Sequence, residues 1–157
     1  MDHLVVVGIS DQQIVKPPDT VVTYALGSCV GICLYDCVMK TAGLSHILLP
    51  APFEGTTVTE VCKYASTAIE TMVKTMEKKG CHRGRMTAKI AGGANMFVTT
   101  GISIGERNVE MVKRELARLG IRLVAEDTGA NYGRTVVVNP LDGGMTVKTA
   151  GKGVRIL

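Results

Sequence analysis

Residues 26–36 read LGSCVGICLYD, and residues 43–50 read GLSHILLP. A thiol follows a Gly-Ser step into one apolar run, and a single histidine sits inside the next. If the two runs pair as antiparallel strands about a turn centred on Cys37-Val38, Asp36 faces Met39 and Cys29 falls directly opposite His46. Directly opposed residues share a face, with Cβ atoms about 4.5–5.5 Å apart. At that separation a thiolate–imidazolium pair can form, which lowers the thiol pKa and makes a nucleophile available near neutrality. Thr23, on the preceding run, can orient the imidazole by accepting from its second nitrogen. Backbone N–H groups around Gly27 and Ser28 can stabilise an oxyanion. The reading depends on register, because a one-residue slip would put Cys29 and His46 on opposite faces.

Other chemistry is weaker in this sequence. A buried cysteine can serve simply as a small hydrophobe. Cys29, Cys33 and Cys37 recur every fourth residue and would line one face of a helix near His46, an arrangement suited to a metal site. However, CVGICLYD is β-branched, aromatic and glycine-containing, which favours a strand. The repeated short cysteine spacing of a structural zinc site is only partly met. No metal site is therefore expected, and Cys33, Cys37, Cys62 and Cys81 are read as core or edge residues. The glycine-rich GGAN at residues 92–95 lacks the lysine of a P-loop and the third glycine of a dinucleotide fingerprint. It is either a tight turn or a wall of the cleft, where Gly92 and Gly93 admit a substrate backbone and Asn95 offers an amide. His3 is terminal, and His82 lies in the basic CHRGR turn, where solvent can satisfy it.

The elements that must position these groups are short strands and two helices. Runs at residues 4–7 and 21–26 read as strands, separated by a turn-rich DQQIVKPPDT. A helix starting at Thr57, with Glu60 completing a capping box, carries apolar residues at helical spacing and stops at Gly80. A second helix runs from about Glu106 to Leu119 and stops at Gly120. Residues 87–91 read as a strand, and IRLVAE, RTVVVNP, MTVKTA and VRIL are four more. Many strands with two helices argue α+β: layered mixed sheets with both helices packed on one side. With 157 residues and no linker or repeat, residues 1–157 are expected to form a single domain. The net charge of +4 is scattered and aromatics are only 4%, so no nucleic-acid surface is expected. No apolar run approaches the roughly 20 residues that span a bilayer, so no direct membrane insertion is expected. Five cysteines without an export signal read as reduced thiols in a cytoplasmic protein.

LGSCVGICLYD, SHILLP, KIAGGANMF, IGERNVE and AEDTGANYGR followed by VVVNP occur in series from about Thr23 to Pro140. In that order they resemble the chemoreceptor glutamine deamidase family CheD. The resemblance implies a fold like that of bacterial deamidating toxins, of the cysteine hydrolase type. It implies Cys29 as nucleophile, His46 as base and Thr23 as its orienting partner, the three residues that spacing also selects. It implies that glutamines on the cytoplasmic helices of methyl-accepting chemoreceptors are deamidated to glutamates through a cysteine thioester. Receptor methylesterase activity is implied for some members, and binding and stimulation of the CheC phosphatase of the response regulator CheY for others. No metal or organic cofactor is needed for such chemistry. Ser28 is then a candidate for the oxyanion turn, and Gly92, Gly93, Asn95, Tyr132 and Gly133 are candidates for walls of the substrate groove. A different class of function is a mainly non-catalytic binding module that regulates the phosphatase.

Overall fold

The computed structural model describes residues 3–96 and 101–157. Phe97, the last residue of KIAGGANMF, lies outside the described residues. Among the described residues, ten strands form two five-stranded sheets. The first contains β1 (Leu4–Val7), β3 (Thr20–Leu26), β8 (Arg134–Asn139), β9 (Gly144–Thr149) and β10 (Gly153–Ile156), in the order β1-β3-β8-β9-β10. The second contains β2 (Asp11–Val15), β4 (Val30–Asp36), β5 (Thr41–Ile47), β6 (Met86–Gly92) and β7 (Arg122–Thr128), in the order β2-β5-β4-β6-β7. Each mixes pair types: β1 runs parallel to β3, and β6 parallel to β7 across a helical crossover. The expected α+β class and mixed sheets are thus borne out.

Helices α1 (Ala65–Lys78) and α2 (Ile104–Arg118) cover one face of the second sheet. Ala65, Ala68, Ile69, Met72, Val73 and Met76 of α1 pack with Ile32, Leu34 and Ile90 of the sheet, the face that the helical spacing anticipates. The other face of that sheet packs on the first sheet through Val21, Leu26, Cys33, Leu44, Val136 and Val138. Every residue of β4 and β5 is buried, because these two strands are covered on both faces. Among the described residues, no helix is long and apolar enough to cross a membrane.

Three expectations about elements need correction. The stretch read as turn contains β2, which pairs antiparallel with β5. The first helix begins at Ala65 rather than Thr57, and no side chain caps it. Residues 61–64 are held to the end of β5, where the Leu48 and Leu49 amides donate to the Lys63 carbonyl. The first amides of α1, Ala65 and Ser66, then donate to the Leu49 and Pro50 carbonyls, 3.0 Å away in each case. Cys62 consequently sits on a short 3-10 turn (Val61–Lys63) ahead of the helix. The third correction is the β4–β5 register: Asp36 faces Thr41, and Gly31 rather than Cys29 faces His46. The Asp36 carboxylate accepts from the Val38 and Met39 amides, which builds a longer turn than the two-residue connection expected. The offset is an even number of residues, which preserves the facing of the strand residues, and Cys29, just ahead of β4, packs with Cys33 and Leu44 between the sheets, the side on which His46 meets Thr23.

Candidate active site

The site lies where the two sheets meet. Thr23 comes from β3 in the first sheet and His46 from β5 in the second, and the Thr23 hydroxyl is 2.7 Å from His46 Nδ1. The same hydroxyl donates to the Val7 carbonyl on β1, also at 2.7 Å. A carbonyl can only accept, so the hydroxyl proton is committed to Val7. Thr23 Oγ1 must therefore accept from Nδ1–H, which fixes the neutral tautomer with a lone pair on Nε2. That Nε2 is buried and has no hydrogen-bond partner among the described residues. His46 is further fixed through its backbone, whose carbonyl accepts from the Ser10 amide at 2.9 Å.

Burial pushes the His46 pKa down to about 4. Burial also pushes the Cys29 thiol up, while its own backbone amide acts in the opposite direction. Desolvation penalises the charged form of each group. Whereas the sequence reading expects a thiolate–imidazolium, burial acts on both groups in the direction of a neutral thiol–imidazole pair. Such a pair can still work as nucleophile and general base, with the proton moving only when the sulfur attacks. Cys29 is 7% exposed and His46 only 1%.

Cys29 ends the bend that links the two sheets. A bulge after Thr23, with Ala25 at φ 57°, turns the chain out of β3 into residues 27–29. The carbonyls of this bend are held from outside. Ala94 N–H donates to Gly27 O at 2.9 Å, Asn108 Nδ2 to Ser28 O at 2.9 Å, and Gly93 N–H to Cys29 O at 2.8 Å. Gly92 adopts φ +113°, and a Cβ there would collide with the Cys29 carbonyl. Gly92 and Gly93 therefore bring the end of β6 against the cysteine bend. Gly93 also borders a cleft of about 360 Å³ beside α2 that is lined by Val109, Lys113 and Thr128.

The remaining candidates lie nearby in less direct roles. Ser28 is half-buried and presents its carbonyl to Asn108. The Asn95 backbone amide donates to the Ala130 carbonyl at 2.8 Å, which ties the GGAN turn to the loop after β7. The Tyr132 ring lies 4.7 Å from the Arg134 guanidinium carbon and 5.9 Å from Lys152 Nζ. Gly133 approaches the Leu26 carbonyl. Arg134 is the centre of that loop: it pairs with Asp127 at 2.9 Å and also donates to the Gly129 and Gly92 carbonyls. Sequence reasoning missed Asn108, the Arg134–Asp127 pair and the contribution of Val7. Asn108 left a signal, since it shares the buried face of α2 with Gly105, Val112 and Leu116 at helical spacing. Val7 left none, because a backbone carbonyl has no residue type.

The family model described as CheD chemotactic sensory transduction matches residues 48–149. Curated relatives extend further. The chain is 44% identical over 161 residues to the probable chemoreceptor glutamine deamidase CheD of Syntrophomonas wolfei subsp. wolfei, covering 100% of each chain. It is 46% identical over 152 residues to the protein of the same name from Clostridium botulinum (strain Eklund 17B / Type B), covering 94% of each. The counterpart in Caldanaerobacter subterraneus subsp. tengcongensis is 46% identical over 155 residues, covering 96% of each. Thr23, Cys29 and His46 precede the span of the family model but fall within the full-length match to the Syntrophomonas protein. Among solved structures, a Neisseria meningitidis protein of family DUF152 superposes with a TM-score of 0.55 at 10% identity, covering 83% of this chain and 65% of that one. The Bacillus licheniformis hypothetical protein YfiH gives 0.50 at 13% identity, covering 77% and 51%. This chain spans less than two thirds of either structure's length, and the likeness is one of fold.

Proposed function

The chain belongs to the CheD family, and from that premise we propose that it is a chemoreceptor glutamine deamidase that uses Cys29 as nucleophile, His46 as proton carrier and Thr23 as the partner that orients it. The observation that supports this reading most is the Val7–Thr23–His46 chain of hydrogen bonds. It leaves the other imidazole nitrogen, Nε2, as a buried acceptor with no partner among the described residues.

The steps follow from these groups. Cys29 Sγ attacks the carboxamide carbon of a receptor glutamine while its proton passes to His46 Nε2. Backbone N–H groups of the cysteine bend, Cys29 N–H among them, hold the oxyanion. Collapse breaks the C–N bond, and His46 gives the proton to the departing nitrogen, which leaves as ammonia. His46 then takes a proton from water as the water oxygen attacks the thioester. The C–S bond breaks, the proton returns to sulfur, and glutamate is released. A glutamyl methyl ester would follow the same course with methanol as leaving group. Gly92, Gly93, Asn95, Tyr132 and Gly133 act in this reading through the walls and supports of the bend. The CheC phosphatase is the proposed protein partner.

The test is mass spectrometry of a chemoreceptor cytoplasmic fragment incubated with the protein. Conversion of glutamine to glutamate by wild type and its loss in Cys29→Ser is the expected result. Conversion that persists in Cys29→Ser would overturn the nucleophile. Stimulation of CheC without any conversion would replace the enzyme by a binding module.

A further inference from the structure

Asn108 is polar, has no exposed surface, and lies on the face of α2 that packs against the second sheet. Its Nδ2 donates twice, to Ser28 O at 2.9 Å and to Leu48 O at 3.1 Å. Both acceptors are carbonyls, so the orientation of the carboxamide follows from chemistry: only its NH2 end can face them. Its Oδ1 is buried with no partner among the described residues. A buried acceptor left unpaired is destabilising, so the arrangement favours the two donations at the expense of the carbonyl end.

The location explains why donors are needed there. The β4–β5 ladder ends at the Val30–Ile47 pair, and the next rung would join Cys29 to Leu48. The strands part at that point. Leu48 turns away to bond Lys63, and Cys29 enters the bend that leads back to β3. Parting leaves the Ser28 and Leu48 carbonyls inside the protein without ladder partners, and the two protons of one carboxamide satisfy both.

The consequence reaches the sulfur. The peptide between Ser28 and Cys29 is trans, so its N–H points opposite to its carbonyl. Holding Ser28 O against α2 therefore aims Cys29 N–H away from α2. The carbonyls on either side, Gly27 O and Cys29 O, are held by backbone amides of Ala94 and Gly93. Of these external holds on the bend, only the one on Ser28 is a side chain.

We propose that Asn108 is a positioning residue: by holding the Ser28 carbonyl it directs the Cys29 N–H toward the oxyanion that forms when Cys29 attacks. The proposal rests on Cys29 being the nucleophile. It separates two reactions of the same sulfur. Attack on a carboxamide develops an oxyanion and needs the aimed amide, whereas alkylation by iodoacetamide is a direct displacement at carbon and develops none.

The experiment compares wild type with Asn108→Ala in two assays: deamidation of a receptor fragment, read as kcat and KM, and the alkylation rate of Cys29, read by peptide mapping. Loss of an oxyanion donor lowers kcat by about 10²–10³-fold. The expected result is a fall of that size with KM and the Cys29 alkylation rate little changed. An unchanged kcat would overturn the proposal. So would a parallel fall in kcat and alkylation, which would mean that Asn108 acts on the thiol or on the fold as a whole. Should Asn108→Ala fail to fold by its circular dichroism melt, Asn108→Ser, which keeps one donor, carries the same comparison. Cys29→Ser, run beside them, distinguishes the premise: if it still deamidates, both the nucleophile and this role for Asn108 fall, whereas an inactive Cys29→Ser beside a fully active Asn108→Ala removes only the latter.

Discussion

Access and activation point to different cysteines in this protein. Cys37 is exposed on the β4–β5 turn, while Cys29 is almost covered and its thiol is raised by burial. Speed of alkylation alone therefore does not identify the nucleophile, and dependence on His46 does. We expect His46→Gln to slow iodoacetamide labelling of Cys29 by about tenfold or more, as loss of a general base should, and to leave Cys37 unaffected. Equal labelling of Cys29 in both proteins, followed by peptide mapping, would remove His46 from its activation. His46 also makes a prediction about stability. Its ordinary pKa of 6.5 falls to about 4 in the folded protein because burial disfavours the charged ring. Above pH 6.5 the ring is neutral folded and unfolded, and it contributes no pH dependence. Between 6.5 and about 4 the unfolded chain binds a proton that the folded protein refuses, so stability declines by up to a few kcal/mol. Below about 4 this decline ends. Thermal melts should show that slope for wild type and a flatter one for His46→Gln; identical slopes would mean that the ring titrates freely.

The β4–β5 hairpin carries His46 and leads out of the cysteine bend, and its far end is fastened by Asp36. That carboxylate has no exposed surface, accepts from the Val38, Met39 and His82 amides, and pairs with Arg85 at 3.0 Å. Burial alone would raise its pKa, but the Arg85 guanidinium and the three amides outweigh burial and hold it at about 2 against an ordinary 3.8. Its contribution to stability is full above pH 3.8 and is lost as the pH falls through about 2, a window below that of His46. Asp36→Ala leaves buried amides unpaired and should cost about 2–4 kcal/mol, a fall in Tm of roughly 5–15 °C for a chain of this size. A melt indistinguishable from wild type at pH 7 would mean that packing alone holds the turn. Asp36 also explains what the sequence concealed. Strand existence was legible in β4, β5 and β8 because their apolar runs are continuous, and Thr23, Cys29 and His46 stood out as polar or reactive groups within such runs. Register was not legible, because it depends on which amides a carboxylate in the turn accepts. β2 was hidden by its polar DQQ and the following Pro-Pro, which suit a short edge strand as well as a loop. The start of α1 was misplaced because Thr57 and Glu60 carry a genuine capping pattern, which the pull of the β5 end on Lys63 overrides.

At the scale of the molecule, the site needs both sheets and both ends of the hairpin linkage. β1 supplies the Val7 carbonyl, β3 the threonine, β5 the histidine, and the chain crossing from one sheet to the other supplies the cysteine. Packing His46 between two sheets disfavours its charged form and its bond to Thr23 fixes the tautomer, while Cys29 keeps only a narrow exposure. The Met96 side chain lies over Gly27 in the bend that carries Cys29, its Cγ 3.5 Å from where a Cβ on Gly27 would be, and is itself 46% exposed. In the proposed deamidation, a receptor glutamine entering past this edge would reach the bend that carries Cys29. If CheC binds across the same edge, it and the receptor exclude one another, and CheC withdraws free enzyme without altering the transition state. Deamidation measured against receptor concentration at several fixed CheC concentrations should then show KM rising in proportion to CheC while kcat stays constant. Met96→Glu, which puts a charge at the edge without touching the dyad, should weaken both interactions together while the His46-dependent labelling of Cys29 persists. A kcat that falls with CheC and is not restored by saturating receptor would place the phosphatase elsewhere on the surface, with a ternary complex as the result, and would leave the assignment of Cys29, His46 and Thr23 untouched.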